Sequence, residues 1–554
     1  MSEDLLRTAV NLHEAGNLAA AAELYVRILR AQPQHLEVLY RLSLIHLATN
    51  RFSDAEQLLS AALRINPNIP EILYVRGCAL QGMSRHEDAL ASFARALALR
   101  PDYIEARNNL GVTLLDLKRF AEALACFESL NVSGDYANAL VCNNRAAALL
   151  GLRRYQEALT CIEKSLALLP DRPNSLSTYA ATLMGLERYE EALANYDRAL
   201  QLQPDFVDAF SNRGSALREL NRLEEALESY DRAVQVKPDY AEALNNRGML
   251  RLLIGRFGDG WADHEWRWQA NNLPKPAKII GRPWRGEDLR GRSIAVYSEQ
   301  GLGDVIQFVR YLPLLIERGA VVSLFVPENL IRLLRPFSPP VTISASTDDR
   351  VSFDFQCALM SLPLWFRTDL SSIPNAIPYL TAENDLVARW NQKLGSHGFK
   401  IGIAWQGKPG GPIDQGRSIP LAEFAPLAKI AGVRLISLQK THGLDQLKRL
   451  PADTNIETFG EEFDSGSDAF VDTAAVMRNL DLIITSDTSI AHLAGALGRP
   501  TWIALKQVPD WRWLLERDDS PWYPTVRLFR QQTAGDWKSV FTKIDRELRS
   551  LASR

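Results

Sequence analysis

Apolar positions recur three and four residues apart over the first 260 residues, in stretches such as "NNLGVTLLDLKRFAEALACF" and "SNRGSALRELNRLEEALESY". That spacing predicts amphipathic helices, one after another. From residue 293 the texture changes to short apolar runs, "SIAVYS", "VVSLFV", "KIGIAW", "VRLISL", "DLIITS" and "TWIAL", separated by helical patterns. Such alternation predicts parallel strands covered by helices. All 12 tryptophans lie after residue 260, which marks the same change of architecture.

The first region is periodic. Pro33, Pro67, Pro101, Pro170, Pro204 and Pro238 recur every 34 residues, with 69 between Pro101 and Pro170, so one unit carries an extra residue and lacks its proline. Each unit places Gly or Ala at a fixed point of a first helix and Ala in a second, where small side chains let paired helices approach, and the proline ends the second helix. This helix-turn-helix period resembles the tetratricopeptide repeat, with eight units across residues 2 to about 270, the last degenerate. The resemblance implies an all-α superhelix over residues 1–270 whose groove holds an extended protein partner.

Asn109, Asn144, Asn212 and Asn246 share one position of the first helix. An amide both donates and accepts, so a row of them can hold peptide backbone of any sequence. Such a ladder resembles that of the protein O-GlcNAc transferases; Arg7, Arg41, Val75 and Thr178 interrupt it, and the alternative of tolerated surface polarity stays open. "RFGDGWADHEWRW" is read as an aromatic cap on the last repeat, and the Pro- and Gly-rich residues 271–292 as a connection.

Length suits roughly three to four domain-sized units. A net charge of -3 removes the basic face that nucleic acid or an anionic membrane selects, so neither nucleic-acid binding nor membrane insertion is expected. The acidic start "MSEDLLRTAV" does not read as a signal peptide, and no apolar run reaches the roughly 20 residues of a membrane span; a cytoplasmic location is expected. The five cysteines show neither CxxC pairing nor metal-ligand spacing with the eight histidines, so no metal is expected.

The chemistry concentrates in two stretches. "SEQGLGDVIQFVRYLP" follows an apolar run and opens a helix. A dinucleotide fingerprint needs a third glycine, and Ile306 stands in that place, which weakens the reading without removing it; Glu328 follows the next apolar run. A phosphate loop fails for want of Gly-Lys-Ser/Thr. "DLIITSDTSIAHLAGALGRP" reads as strand, turn and helix, with Asp487, Thr488 and Ser489 at the helix start, where free N–H groups can hold a phosphate.

With "GRPWRGEDLRGR", "SLPLWF", "IPNAIPYL" and "DWRWLLERDDSPWYPTVRLFRQ", these stretches resemble the heptosyltransferase-like glycosyltransferases of family 9 type, in the bacterial branch fused to tetratricopeptide repeats. The resemblance implies an α/β GT-B domain of two Rossmann-like units facing a cleft, an acceptor-side unit at 293–395 and a nucleotide-sugar-side unit at 396–554. It makes Asp304 the catalytic base, on the turn shaped by Gly301 and Gly303; helix capping is the competing role. Arg417 and then Lys408 are expected to neutralise the leaving group. Gln406, Gln439, Lys440 and His492 are further donor-side candidates; for His492 a buried structural role is open, and for the lysines plain surface charge. Asp487 is assigned to helix capping or a ribose hydroxyl. Without an Asp-x-Asp the mechanism is expected to be metal-independent and, by resemblance, inverting. No cofactor is expected besides a UDP, GDP, ADP or CMP sugar. The expected activity is transfer to Ser or Thr of a protein held by the repeats, with flagellin as preferred acceptor because flagellin glycosyltransferases share this layout. A non-catalytic scaffold and a lipid or glycan acceptor are the alternatives.

Overall fold

The structure, a computed structural model, describes residues 2–130, 132–274, 276, 278–345, 351–410 and 416–552. It consists of two compact units, Met1–Leu220 and Asn221–Arg554, which divide inside the turn of the seventh repeat.

Helices follow one another along the chain as eight pairs, from Ser2–Glu14 with Leu18–Ala31 to Ala241–Leu253 with Phe257–His264. Each pair turns through a left-handed residue, and these recur with the repeat: Gly16, Asn50, Ser84, Lys118, Arg153, Glu187, Asn221 and Gly255. The prolines stand just beyond the ends of the second helices Leu18–Ala31, Phe52–Ile65, His86–Leu99, Tyr155–Leu168, Tyr189–Leu202 and Leu223–Val236. In the repeat without a proline the second helix, Phe120–Glu128, has 9 residues where the six that end at a proline have 14, and the next first helix, Asp135–Gly151, has 17. The small residues act as expected from the sequence: a Cβ at Gly111 would lie 2.6 Å from Phe127 Cε1, and Gly77 meets Phe93 in the same way. Aromatic rings of these second helices thus lie against glycines of the first.

The second unit contains two parallel sheets. In the first, β1 (Ile279–Pro283), β2 (Ser293–Tyr297), β3 (Val321–Phe325), β4 (Thr342–Ser344) and β5 (Val351–Ala358) are ordered β1-β5-β2-β3-β4. In the second, β6 (Phe399–Ala404), β7 (Val433–Ser437), β8 (Ile456–Glu457), β9 (Leu482–Ser486), β10 (Thr501–Leu505) and β11 (Val526–Arg530) are ordered β11-β10-β9-β6-β7-β8. β9 and β10 are buried at every position, the signature of central parallel strands covered on both faces.

Two boundaries need correction. The stretch 271–292 is not a free connection: β1 within it pairs with β5, and Trp284 and Leu289 are buried, because its apolar residues have a sheet edge and core to join. The repeats do not end as one body at residue 270 either, since the last helix pair belongs to the compact unit that holds the sheets. Trp261 explains this: its indole N–H donates to the carbonyl of Thr368 at 2.9 Å and its ring lies 5.2 Å from that of Trp511.

Candidate functional site

In parallel α/β sheets, ligands collect where strands give way to helices at their C-terminal ends. β2 ends in the turn Ser298–Gly301 and the helix Leu302–Phe308; β9 ends at Asp487 and Thr488 and the helix Ser489–Ala496. The two helices meet at Gly303, where a Cβ would stand 3.1 Å from His492 Cδ2 and 3.3 Å from Ser489 Cα. Two stretches about 185 residues apart are therefore joined at one point, and the glycine is what permits it.

Asp304 lies in the first turn of its helix. Its Oδ2 accepts from the backbone N–H of Gly301 at 2.9 Å, and its Oδ1 is paired with Arg512 Nη2. Arg512, buried after β10, also donates to Asp510 Oδ1 at 2.9 Å and to Gln307 Oε1. Burial holds the Asp304 carboxyl above its usual range; Arg512 opposes that shift and Asp510 reinforces it. Asp487, buried, is raised for the same reason, first by burial and then by Asp510, with Arg417 opposing. An arginine-laced carboxylate cluster of Asp304, Asp487 and Asp510 thus lies at the strand ends.

Arg417 lies beside the start of the helix Ser489–Ala496. A Cβ at Gly407 would sit 2.5 Å from Arg417 Nη2 and 3.5 Å from Thr488 Cγ2, so the guanidinium lies over Gly407 beside the helix start. Arg417 Nε, Thr488 Oγ1 and Ser486 Oγ are buried without a hydrogen-bond partner. The helix Ser489–Ala496 has no side-chain cap either. Unmet donors and a bare helix start together form an anion-binding arrangement.

The other expected residues are tied up within the fold or exposed. Gln439 is spent on backbone: its Oε1 accepts from the N–H groups of Trp405 and Gln406, each at 3.1 Å, and its Nε2 donates to the Gln406 carbonyl at 2.7 Å. Gln406 Oε1 accepts from Gln446 at 3.0 Å. Lys408 and Lys440 are exposed. His492 is buried, stacked at 5.5 Å on Trp513 and hydrogen-bonded through Nδ1 to Tyr523 at 2.9 Å; burial, then Arg512 and Arg310, hold it neutral. A neutral imidazole in that setting is a packing residue. Arg512 and Asp510 escaped sequence reading, although "PDWRW", three residues after the run "TWIAL", placed them beyond a strand's C-terminal end.

In the first unit the asparagines join. Asn143 donates to Asn144 at 3.4 Å, Asn144 to Asn108 at 3.1 Å, Asn108 to Asn109 at 3.4 Å and Asn109 to the Tyr74 hydroxyl at 3.4 Å. Asn108 and Asn143 complete a row that Asn109 and Asn144 alone do not make. Asn212 is exposed on Val207–Glu219 and Asn246 half-buried on Ala241–Leu253.

Family models described as tetratricopeptide repeat match residues 12–76, 74–138 and 139–172, and one described as TPR repeat matches 182–217 and 214–255. Protein FlbA of Caulobacter vibrioides is 27% identical over 324 residues, 54% of this chain and 54% of that protein, so the chain matches about half the length of that relative. Among solved structures, a tetratricopeptide repeat protein from Parabacteroides merdae is 16% identical, covering 45% of this chain and 98% of its own at a TM-score of 0.40. YrrB, described as a TPR protein with an unusual peptide-binding site, is 22% identical, covering 34% and 95% at a TM-score of 0.25. Among the described residues no helix is long and apolar enough to cross a membrane. Tetratricopeptide repeats thus occupy the first half of the chain, and an α/β half built on parallel sheets follows them.

Proposed function

We propose that the chain is a protein O-glycosyltransferase with a GT-B-type second half, moving a sugar from a nucleotide donor to a Ser or Thr hydroxyl of a protein held by the repeats. The observation that carries the reading is the junction at Gly303, with the half-buried carboxylate of Asp304 on one side and Arg417, Thr488 and an uncapped helix start on the other. In this reading the acceptor oxygen attacks the anomeric carbon as its proton passes to Asp304. The bond from that carbon to the donor's phosphate oxygen breaks, and the nucleotide (a diphosphate from a UDP, GDP or ADP sugar, CMP from a CMP sugar) leaves with the electron pair toward Arg417 and the helix start. Inversion follows from one displacement. A carboxyl held above its usual range is a better base than an ordinary aspartate, provided it is ionised at working pH. The asparagine row gives an extended acceptor its backbone partners, and flagellin is the acceptor we favour, on the resemblance of layout.

One observation favours the second reading, a scaffold with a degenerate transferase fold: Asp304 is already paired with Arg512. Titration calorimetry with UDP, GDP, ADP and CMP sugars, then intact-mass analysis of the captured acceptor, decides between them. The first reading requires binding of one donor, a mass increase of one sugar, and loss of that increase in Asp304→Asn. Binding of none of the donors establishes the scaffold.

A further inference from the structure

The Asp304–Arg512 pair is braced from the last repeat on both sides. Arg267, on the short helix Arg267–Ala270 that ends the array, is fully buried. Its Nη1 donates to Glu265 and to the carbonyl of His264; its Nη2 donates to Glu299 Oε1 at 2.9 Å and to Ser361 Oγ at 2.7 Å. Glu299 belongs to the glycine turn that carries Asp304. Its side chain is 2% exposed, its Oε1 also accepts from the N–H of Met360 at 3.2 Å, and its Oε2 has no partner. On the other side, Trp261 and His264 of the last repeat pack on Trp511, with ring centroids at 5.2 Å and 6.3 Å, and Trp511 directly precedes Arg512.

Charge runs along the same line. Two carboxylates, Glu265 and Glu299, share one guanidinium; burial pushes Glu299 up to about 7 against the pull of Arg267, and Asp304 adds to the rise. Arg267 in turn is among the charges that draw Asp304 down. A buried group with an unmet oxygen and an excess acid tolerates loss of its cation poorly.

We propose that Arg267 is a positioning residue for Asp304, acting through Glu299, so that the last tetratricopeptide repeat is a working part of the candidate site and not only an adaptor for a partner. The importance of Asp304 rests on the transferase reading; the coupling itself does not. Movement of the last repeat on partner binding is then felt first at the glycine turn.

Hydrogen exchange of the full chain, followed by mass spectrometry, tests the coupling with no donor present. In Arg267→Gln, exchange is expected to rise about tenfold or more in residues 298–308 and to stay within about twofold in β9. Adding Glu299→Gln removes the unpaired buried acid, so the double variant is expected to return at least about half of that rise on a logarithmic scale. Independent, additive effects of the two substitutions, or a rise spread equally over β9, overturn the proposal as mere loss of packing. Should Arg267→Gln not fold, Glu299→Gln alone is read: about threefold acceleration confined to 298–308 supports the coupling, and none overturns it. A donor panel that binds nothing sinks the transferase reading and leaves this result untouched.

Discussion

Replacing Arg512 with methionine tests the electrostatics of the site. The side chain keeps an unbranched apolar stem but loses the donors to Asp304, Asp510 and Gln307. Stranding buried carboxylates costs roughly 3–5 kcal/mol. Asp304 and Asp510 keep 20% and 30% side-chain exposure, so water meets part of the loss and the low end applies. About 3 kcal/mol is a large share of the roughly 5–15 kcal/mol that holds a domain folded. Because every tryptophan lies after residue 260, indole emission during urea unfolding reports on the α/β unit alone. With a slope near the upper end of about 1–3 kcal/mol per molar urea, the midpoint falls by about 1 M at pH 7.

The pH dependence separates charge from packing. Asp304 is already raised by burial when folded, and losing the guanidinium raises it further. A carboxyl with a raised folded pKa lowers stability above that pKa, and the deficit disappears as pH falls through it. The deficit of Arg512→Met is therefore largest at neutral pH and shrinks on acidification. Adding Asp304→Asn restores part of it at pH 7. A deficit below about 1 kcal/mol at pH 7, or one equally large at acid pH, refutes the reasoning.

Gly303→Val places methyl groups against His492 and Ser489 and parts the two helices; calorimetry should show donor affinity down by about tenfold or more, with the circular dichroism of the repeats unchanged. Gly111→Ala drives a Cβ into the ring of Phe127 and should destabilise the first unit by about 1–3 kcal/mol. That unit has no tryptophan, so the loss appears in helical dichroism while the indole transition stays. Glu187 holds a φ of 61°, and Glu187→Gly should raise the melting of the repeats by relieving up to about 1 kcal/mol net, read by thermal dichroism.

Much of the architecture was legible. The proline period located the ends of the second helices, and β2, β3, β6, β7, β9 and β10 coincide with apolar runs, most plainly β9 and β10, where a strand buried on both faces has no polar face to blur it. β5 was missed for the converse reason: "VSFDFQCA" mixes polar and apolar residues although the strand lies between β1 and β2. The turn residues of Lys118, Arg153 and Glu187 gave no signal, since none has the glycine that a left-handed position favours.

Local pattern by itself determined the repeat period, the strand-to-helix punctuation and the two loops where chemistry gathers, because these depend on residues a few positions apart. Tertiary structure decided what those loops face. Asp304 meets an arginine 208 positions away, Gln439 is consumed by backbone, His492 is a packing residue, and the last repeat lies with the sheets. Each of these turns on a partner brought close only by folding, and on burial, which sets the charge of a carboxylate more than its place in the chain does.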